Sequence, residues 1–307
     1  MIPTNKKGRY AEIIIPDNWK TFTIDTLLRE YWKGPKKLVH QWRMDRAILL
    51  NGKTASWSIP LTPGDSISLP FFENRKSTII PTFHDLDVLY EDDHLMIVNK
   101  PSSIDTHPSS PEDSSTLLNF VAFHVSMQGE DREVKHIHRL DRDTTGAVLF
   151  AKHPFVGAIL DRMLEERQIK RTYLALVHGD LKKNQLKIDA AIGRDRHHPT
   201  RRRVSPTGQK AVTHIEKIKY FPNKKLTFIK CNLETGRTHQ IRVHLSHIGH
   251  PLAGDTLYGG KNIFPRQALH AYKMELTHPI TEECITVYAP FIDQPPIFPE
   301  LDENLFI

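Results

Sequence analysis

The chain has 307 residues, of which 39% are apolar and 25% charged, a balance that supports a buried core and excludes wholesale disorder. The length suits two domains, at roughly 100 to 200 residues each. A formal charge of +6 and a pI near 9.1 make an anionic partner more natural than a cationic one, and two cysteines, Cys231 and Cys284, exclude a disulfide framework.

Read from its start, the chain opens on Met1-Ile2-Pro3-Thr4-Asn5-Lys6-Lys7-Gly8-Arg9, which lacks the apolar core of a signal peptide. No apolar run approaches the ~18 residues that a membrane span needs, so a cytoplasmic protein without membrane contact is expected. Residues 10–72 read as a first, small domain. Ala11 to Ile15 is an extended run, Ile24, Leu27, Leu28 and Tyr31 recur at helical spacing, and a second helical stretch covers Val39 to Met44. Asn51-Gly52 marks a hairpin, since both residues tolerate positive φ. Leu61 to Asp65 forms another turn, followed by a short strand from Ser66 to Leu69. This order, with the strings LLNGK and PLTPGDSISL, resembles the S4-type RNA-binding domain. The resemblance implies a small α/β unit that contacts RNA through Arg29, Lys33, Lys36, Lys37 and Arg43.

Residues 73–85 are polar, hold Pro81 and read as a linker. The second domain is expected over 86–300. Leu95 to Val98, Ala147 to Phe150, Tyr173 to Val177 and Leu226 to Ile229 are strand-like. Helical patterns run from Phe155 to Gln168 and from Thr238 to Ile248, the latter stopped by Gly249. Strands and helices alternate without a βαβ rhythm, which predicts an α+β fold with a mixed, largely antiparallel sheet. On this division, removal of residues 1–80 is expected to weaken RNA binding and leave the second domain folded. Between Lys170 and Arg203 ten Lys and Arg stand against three Asp, a density that suits a phosphate-tracking surface better than an ordinary solvated face.

The string His136-Ile137-His138-Arg139-Leu140-Asp141-Arg142-Asp143-Thr144-Thr145-Gly146 places Asp141 in a turn before an apolar strand. By residue type alone, a surface or capping role is the commoner one for such an Asp. A carboxylate that attacks a glycosidic bond must stay ionised in a partly dry pocket, which calls for a cationic partner. Arg242 is a candidate, because a guanidinium is always charged and grips a carboxylate with a planar fork. On a helix whose apolar face is Ile241, Leu245 and Ile248, Arg242 points toward the flank. About a hundred residues separate it from Asp141, and spacing does not pair them.

The strings HRLDRDTTG, KRTYLALVHG and LETGRTHQIRVHLSHIGHPLAGDTLYG occur in the order and spacing of the RluA-type pseudouridine synthases, which the chain resembles over roughly residues 86–290. LYEDDHLMIVNKPSSIDTHPS upstream and LHAYKMELTHPITEE downstream match that pattern as well. The resemblance implies a pseudouridine synthase catalytic domain that isomerises uridines of rRNA or tRNA. The steps are base flipping, Asp-dependent cleavage of the N-glycosidic bond and C–C rejoining. It implies Asp141 as the catalytic residue, Tyr173 as the tyrosine that stacks on the target base and assists proton removal, and Arg242 as the arginine paired with Asp141. Arg139 matches the residue that fills the gap left by a flipped base. Lys100 looks like a structural or RNA-contacting lysine, and Arg237, His239 and Gln240 are further expected RNA contacts. Thr145 stands where the family more often has Ser; both carry a hydroxyl, so little consequence is expected.

Isomerisation nearly balances bond cleavage and formation, so no nucleotide cofactor is expected, and a monomer acting on RNA is the simplest assembly. The 18 histidines raise the question of a metal, but His136, His138, His239, His244, His247 and His250 form neither a Cys/His finger nor an HExxH helix. A non-catalytic RNA-binding protein would have no need of Asp141, Tyr173 and Arg242 together. A glycoside hydrolase would want a second placed carboxylate, and no motif places Asp143 or Glu234 as one.

Overall fold

A computed structural model describes residues 2–74, 77–129 and 132–299. The first unit contains β1 (Thr4–Lys7), β2 (Tyr10–Ile14), α1 (Ile24–Thr26), α2 (Lys36–Met44), β3 (Leu49–Leu50), β4 (Lys53–Thr54) and β5 (Ser66–Leu69). Its sheet runs β1-β2-β5-β3-β4. Asn51 and Gly52 both take positive φ, 50° and 74°, as a two-residue hairpin with right-twisted strands requires. The Thr23 hydroxyl caps α1 by accepting from the Thr26 amide at 3.2 Å. The helix expected around Ile24 to Tyr31 widens after one turn into a π-helix over Leu27–Tyr31, where the Trp32 amide donates to the Leu27 carbonyl. That five-residue step turns Leu27, Leu28 and Trp32 inward together.

The second unit contains β6 (Asp87–Glu91), β7 (Leu95–Lys100), α3 (Leu117–Met127), β8 (Lys135–His136), β9 (Thr145–Ala151), α4 (Pro154–Glu165) and β10 (Lys170–His178). It continues with β11 (Gln185–Asp189), β12 (Ile192–Arg194), β13 (Arg202–Val204), β14 (Val212–Phe221), β15 (Leu226–Leu233), α5 (Gln240–His247), β16 (Leu269–Thr277) and β17 (Cys284–Tyr288). The ten-stranded sheet has the order β11-β14-β15-β10-β16-β9-β7-β6, with β17 on β16 and β8 on β9. Its pairings are antiparallel except β16 with β9, so the fold is α+β and rich in antiparallel sheet. β7 and β9 are buried along their whole length, as central strands covered on both faces must be. The sequence reading assigned no helix at α3. Leu117, Leu118, Phe120, Val121, Ala122 and Val125 are all buried there, so the apolar residues spread round the helix and leave no one-sided stripe to read.

The two units share one hydrophobic core. Trp32, Trp42 and Phe71 place their rings 5.8, 5.3 and 4.9 Å from Phe155 at the start of α4. Gly34 makes that approach possible, since a Cβ there would lie 2.5 Å from the Phe155 ring. The seam is also hydrogen-bonded: Trp32 Nε1 donates to the Pro279 carbonyl, and Arg162 donates to the carbonyls of Trp32 and Lys33. This shared core argues against the expectation that the second unit stays folded when residues 1–80 are removed. Their loss would bare Phe155, Val156 and Ile159 to water.

Two imidazoles sit in this seam. Phe71 stacks on His153 at 5.0 Å, and His94 Nδ1 lies 2.9 Å from His153 Nε2. Burial lowers His94 to about 3 and holds His153 well below 6.5. Such groups bind fewer protons folded than unfolded, so their contribution is intact above their ordinary value of 6.5 and is lost as pH falls from there toward 3. The expected result is a Tm that drops between pH 7 and pH 5. Scanning calorimetry checks it: His94→Gln/His153→Gln should flatten the slope, and a flat wild-type profile would refute the assignment.

Candidate active site

The loop between β8 and β9, residues 137–144, carries Asp141, and almost every backbone group around it is held. The Thr106 hydroxyl donates to the Leu140 carbonyl at 3.0 Å and accepts from the Leu140 amide at 3.1 Å. Lys100 Nζ donates to the Arg142 carbonyl at 2.8 Å. Arg266 reaches the Asp143 carbonyl, and the Thr144 amide closes the turn onto the Asp141 carbonyl at 2.9 Å. Thr145 Oγ1 accepts from Arg266 Nη2 at 2.9 Å and meets His270 Nδ1 at 2.7 Å, which accounts for the hydroxyl at this position. Gly146 is required: its φ is +112°, and a Cβ would lie 2.3 Å from the Ala271 carbonyl where β16 runs parallel to β9. Asp141 is thus fixed by its backbone before any side chain touches it.

Across the cleft, α5 and its N-cap residue supply the partners. Arg242 Nη1 donates to Asp141 Oδ2 at 3.1 Å, joining residues 101 apart in sequence. Its planar fork, however, goes elsewhere: Nε and Nη2 donate to the two oxygens of Asp255 at 2.8 and 2.9 Å. Arg242 is buried rather than turned to the helix flank, and both carboxylates raise its already high pKa against the cost of burial. The Tyr258 ring lies 5.0 Å from the guanidinium carbon. His239, at the N-cap of α5, adopts φ +58°, which swings its ring over the cleft; Nε2 stands 3.8 Å from Asp141 Oδ2. Burial lowers the His239 pKa, opposed by Asp141, so the ring is neutral at pH 7.

Tyr173 enters from β10, where a bulge between Thr172 and Tyr173 shifts the register against β16. Its ring is buried and lines the cleft with Asp141, Arg242, His239, Arg139, Arg237 and Gln240. Burial raises the phenol pKa, keeping it protonated at neutral pH. Arg139 is exposed at the mouth. The cleft holds only about 50 Å³, far below the ~300 Å³ where small-molecule pockets begin. A site this shallow suits a reactive unit carried on a macromolecule that supplies the remaining wall. Arg237 also borders a neighbouring cavity of about 350 Å³ with Arg194 and Arg202, so the basic block continues outward along the β12–β13 hairpin. Other members of that block are already paired: Lys182 with Asp180, Lys187 with Glu234 and Arg201 with Asp195.

Two expected RNA contacts are corrected. Lys100 is fully buried, and Nζ donates to the carbonyls of Pro101, Ile104 and Arg142, so it braces the Asp141 loop and has no access to RNA. Burial lowers its pKa to about 7, with Asp143, Asp105 and Asp141 opposing the shift. Gln240 is buried as well. Its amide oxygen accepts from the Thr235 hydroxyl and the Arg237 amide, and its nitrogen donates to the Val212 carbonyl and Thr213 Oγ1, which exhausts its bonding capacity. Asp255 and Tyr258 were missed by sequence reasoning, although the string LAGDTLYG contains both. The signal was an acidic residue among glycines, which reads equally well as a turn.

Among the described residues no group of three or more His, Cys, Asp or Glu is placed to hold a metal ion, and no helix is long and apolar enough to cross a membrane. Many of the imidazoles bond within the protein, as His244 does to Thr213 and the Ala190 carbonyl. Comparison with known proteins is direct. A family model described as RNA pseudouridylate synthase matches residues 94–247, and one described as the RluD ribosomal pseudouridine synthase N-terminal domain matches residues 11–67. The chain is 44% identical over 288 residues to the uncharacterized RNA pseudouridine synthase YhcT of Bacillus subtilis, covering 94% of this chain and 95% of that one. It is 36% identical to the ribosomal large subunit pseudouridine synthase D of Nitrosomonas europaea, over 92% and 85% of the two chains. The solved structure of human RNA pseudouridylate synthase domain containing 1 superposes with a TM-score of 0.57 at 25% identity, covering 67% of this chain and 84% of that one.

Proposed function

The chain belongs to the RNA pseudouridylate synthase family, and is an isomerase that converts uridine in RNA to pseudouridine; from that premise we propose that it modifies large-subunit ribosomal RNA with Asp141 as its catalytic group. The substrate reading rests on the ribosomal relatives and on the N-terminal match over residues 11–67. In this reading residues 10–72 are an S4-like RNA-binding unit, 73–85 a linker and 86–300 the catalytic domain, and the protein acts in the cytoplasm as a monomer.

The observation that carries the mechanism is the convergence on one cleft of a loop-fixed carboxylate, a buried arginine that donates to it and a buried tyrosine ring. The target uridine leaves its stack, places its base against Tyr173 and its ribose against Asp141, and Arg139 at the mouth fills the vacancy. Asp141 either attacks C1′ or removes the C2′ proton. In both routes the N1–C1′ bond breaks and the uracil turns; as C5 bonds to C1′ the Asp141–C1′ ester is displaced or the C2′ proton is returned, and C5 then loses its proton while N1 gains one. Tyr173 lies beside the base for that last transfer, where its neutral phenol relays the proton by giving up its own to solvent. Arg237 and the arginines of the β12–β13 hairpin lie where flanking phosphates would run.

Purified protein with EDTA and no nucleotide is expected to release tritium from RNA carrying 5-tritiated uridine, because C5 must lose its hydrogen. Mapping of pseudouridine in ribosomal RNA from cells with and without the gene then places the position. No release, or release only with added metal, would overturn the reading.

A further inference from the structure

The turn from Asp255 to Tyr258 touches both groups that face Asp141. Asp255 grips Arg242, and three residues on, Tyr258 Oη lies 2.8 Å from His239 Nδ1. The same hydroxyl oxygen accepts the Arg202 backbone amide of β13 at 2.8 Å. With that acceptance made, its own proton is free for His239 Nδ1. When the hydroxyl donates to Nδ1, the imidazole carries its proton on Nε2, the nitrogen 3.8 Å from Asp141 Oδ2 and facing an acceptor-only carboxylate. Arg242 Nη1 donates to that same oxygen at 3.1 Å. Both donors therefore converge on Oδ2, and among the described residues no hydrogen bond is made to Oδ1.

We propose that the Tyr258 hydroxyl is a positioning group of the reaction: by donating to His239 Nδ1 it holds the imidazole proton on Nε2 toward Asp141 Oδ2, so that Oδ1 is the oxygen presented to the ribose. This rests on Asp141 being the catalytic carboxylate of the proposed function. Tyr258 itself is buried, has its ring edge against His239 at 87° and its face toward Arg242, and touches no substrate. The groups around the imidazole are Asp141, Arg242, Asp255, Arg202 and Tyr258. Because Tyr258 also holds the backbone of the hairpin that bears Arg201, Arg202 and Arg203, RNA seated on that hairpin bears directly on the alignment of the carboxylate.

The test uses the full-length protein and a large-subunit ribosomal RNA transcript labelled with 5-tritiated uridine. Single-turnover tritium release gives the rate, and filter binding to the same transcript gives affinity. Tyr258→Phe keeps the ring and removes only the hydroxyl. Its rate is expected to fall about 10- to 100-fold, the scale of a small misplacement of a reacting group, while affinity stays within about twofold because phosphate contacts dominate it. His239→Gln, whose amide supplies an N–H without tautomer control, is expected to keep more activity than His239→Ala. In the His239→Gln background Tyr258→Phe should then cost little, a coupling that a merely structural tyrosine would not show. A wild-type rate for Tyr258→Phe, or an equal loss in both backgrounds, overturns the inference and leaves the function standing. An inactive wild type refutes the function itself.

Discussion

Asp141→Asn is expected to reduce pseudouridine formation below detection, a loss of more than about 10³-fold in single turnover, with folding and RNA affinity retained. The side chains are nearly the same size, and the backbone of residues 140–144 is pinned by Thr106, Lys100 and Arg266, none of which touches the Asp141 carboxylate. The exchange therefore removes the charge and the nucleophilic or basic oxygen and little else. Asp143→Asn is the internal control. It lies in the same turn; its carbonyl, held by Arg266, is left in place by the substitution, and its carboxylate acts on the loop only through the charge of Lys100. It should keep most of its activity. The rates are measured by tritium release after circular dichroism has confirmed the fold. A working Asp141→Asn beside a dead Asp143→Asn would mean that the other carboxylate does the chemistry.

The second large effect is expected from Asp255, which is buried and far less obvious in sequence. Asp255→Asn leaves the Arg242 guanidinium buried with half of its anionic partnership gone, and breaking a buried pair in this way costs about 3–5 kcal/mol. Without the fork that anchors it, Nη1 is no longer held against Asp141, and the single-turnover rate should fall about 100-fold. Arg242→Lys should behave alike. The arginine spends its two-pronged geometry on Asp255 and a single nitrogen on Asp141, so an ammonium can satisfy one carboxylate and must abandon the other. Both variants should lower Tm as well as rate, whereas Asp141→Asn should lower Tm less, because Asp141 is less buried than Asp255 and takes one hydrogen bond from Arg242 rather than two. A normal rate in Asp255→Asn would mean that Arg242 is oriented by helix packing alone.

Much of this molecule is legible in local sequence. The Asn51-Gly52 hairpin, the apolar runs that became β7, β9 and β10, and the periodicity of α4 depend on φ preferences and side-chain spacing within a few residues, and these act wherever the segment sits. The strings around Asp141, Tyr173 and Arg242 nominated those residues through their resemblance to a family pattern, since residue type alone favoured a surface or capping role for Asp141. What the sequence concealed are relations between segments far apart. Lys100 and Gln240 look like cationic and polar RNA contacts, yet both are buried with every donor committed to the backbone or to neighbouring hydroxyls. The N-terminal unit looked detachable until Trp32, Trp42 and Phe71 were found against Phe155. The chain by itself determined most of the elements and the fold class, since these follow from short-range sterics and side-chain spacing. Only the tertiary structure decided that Arg242 is shared by Asp141 and Asp255, because the sheet order and the parallel meeting of β16 with β9 bring those segments together, and no local preference encodes a distance between residues 101 apart.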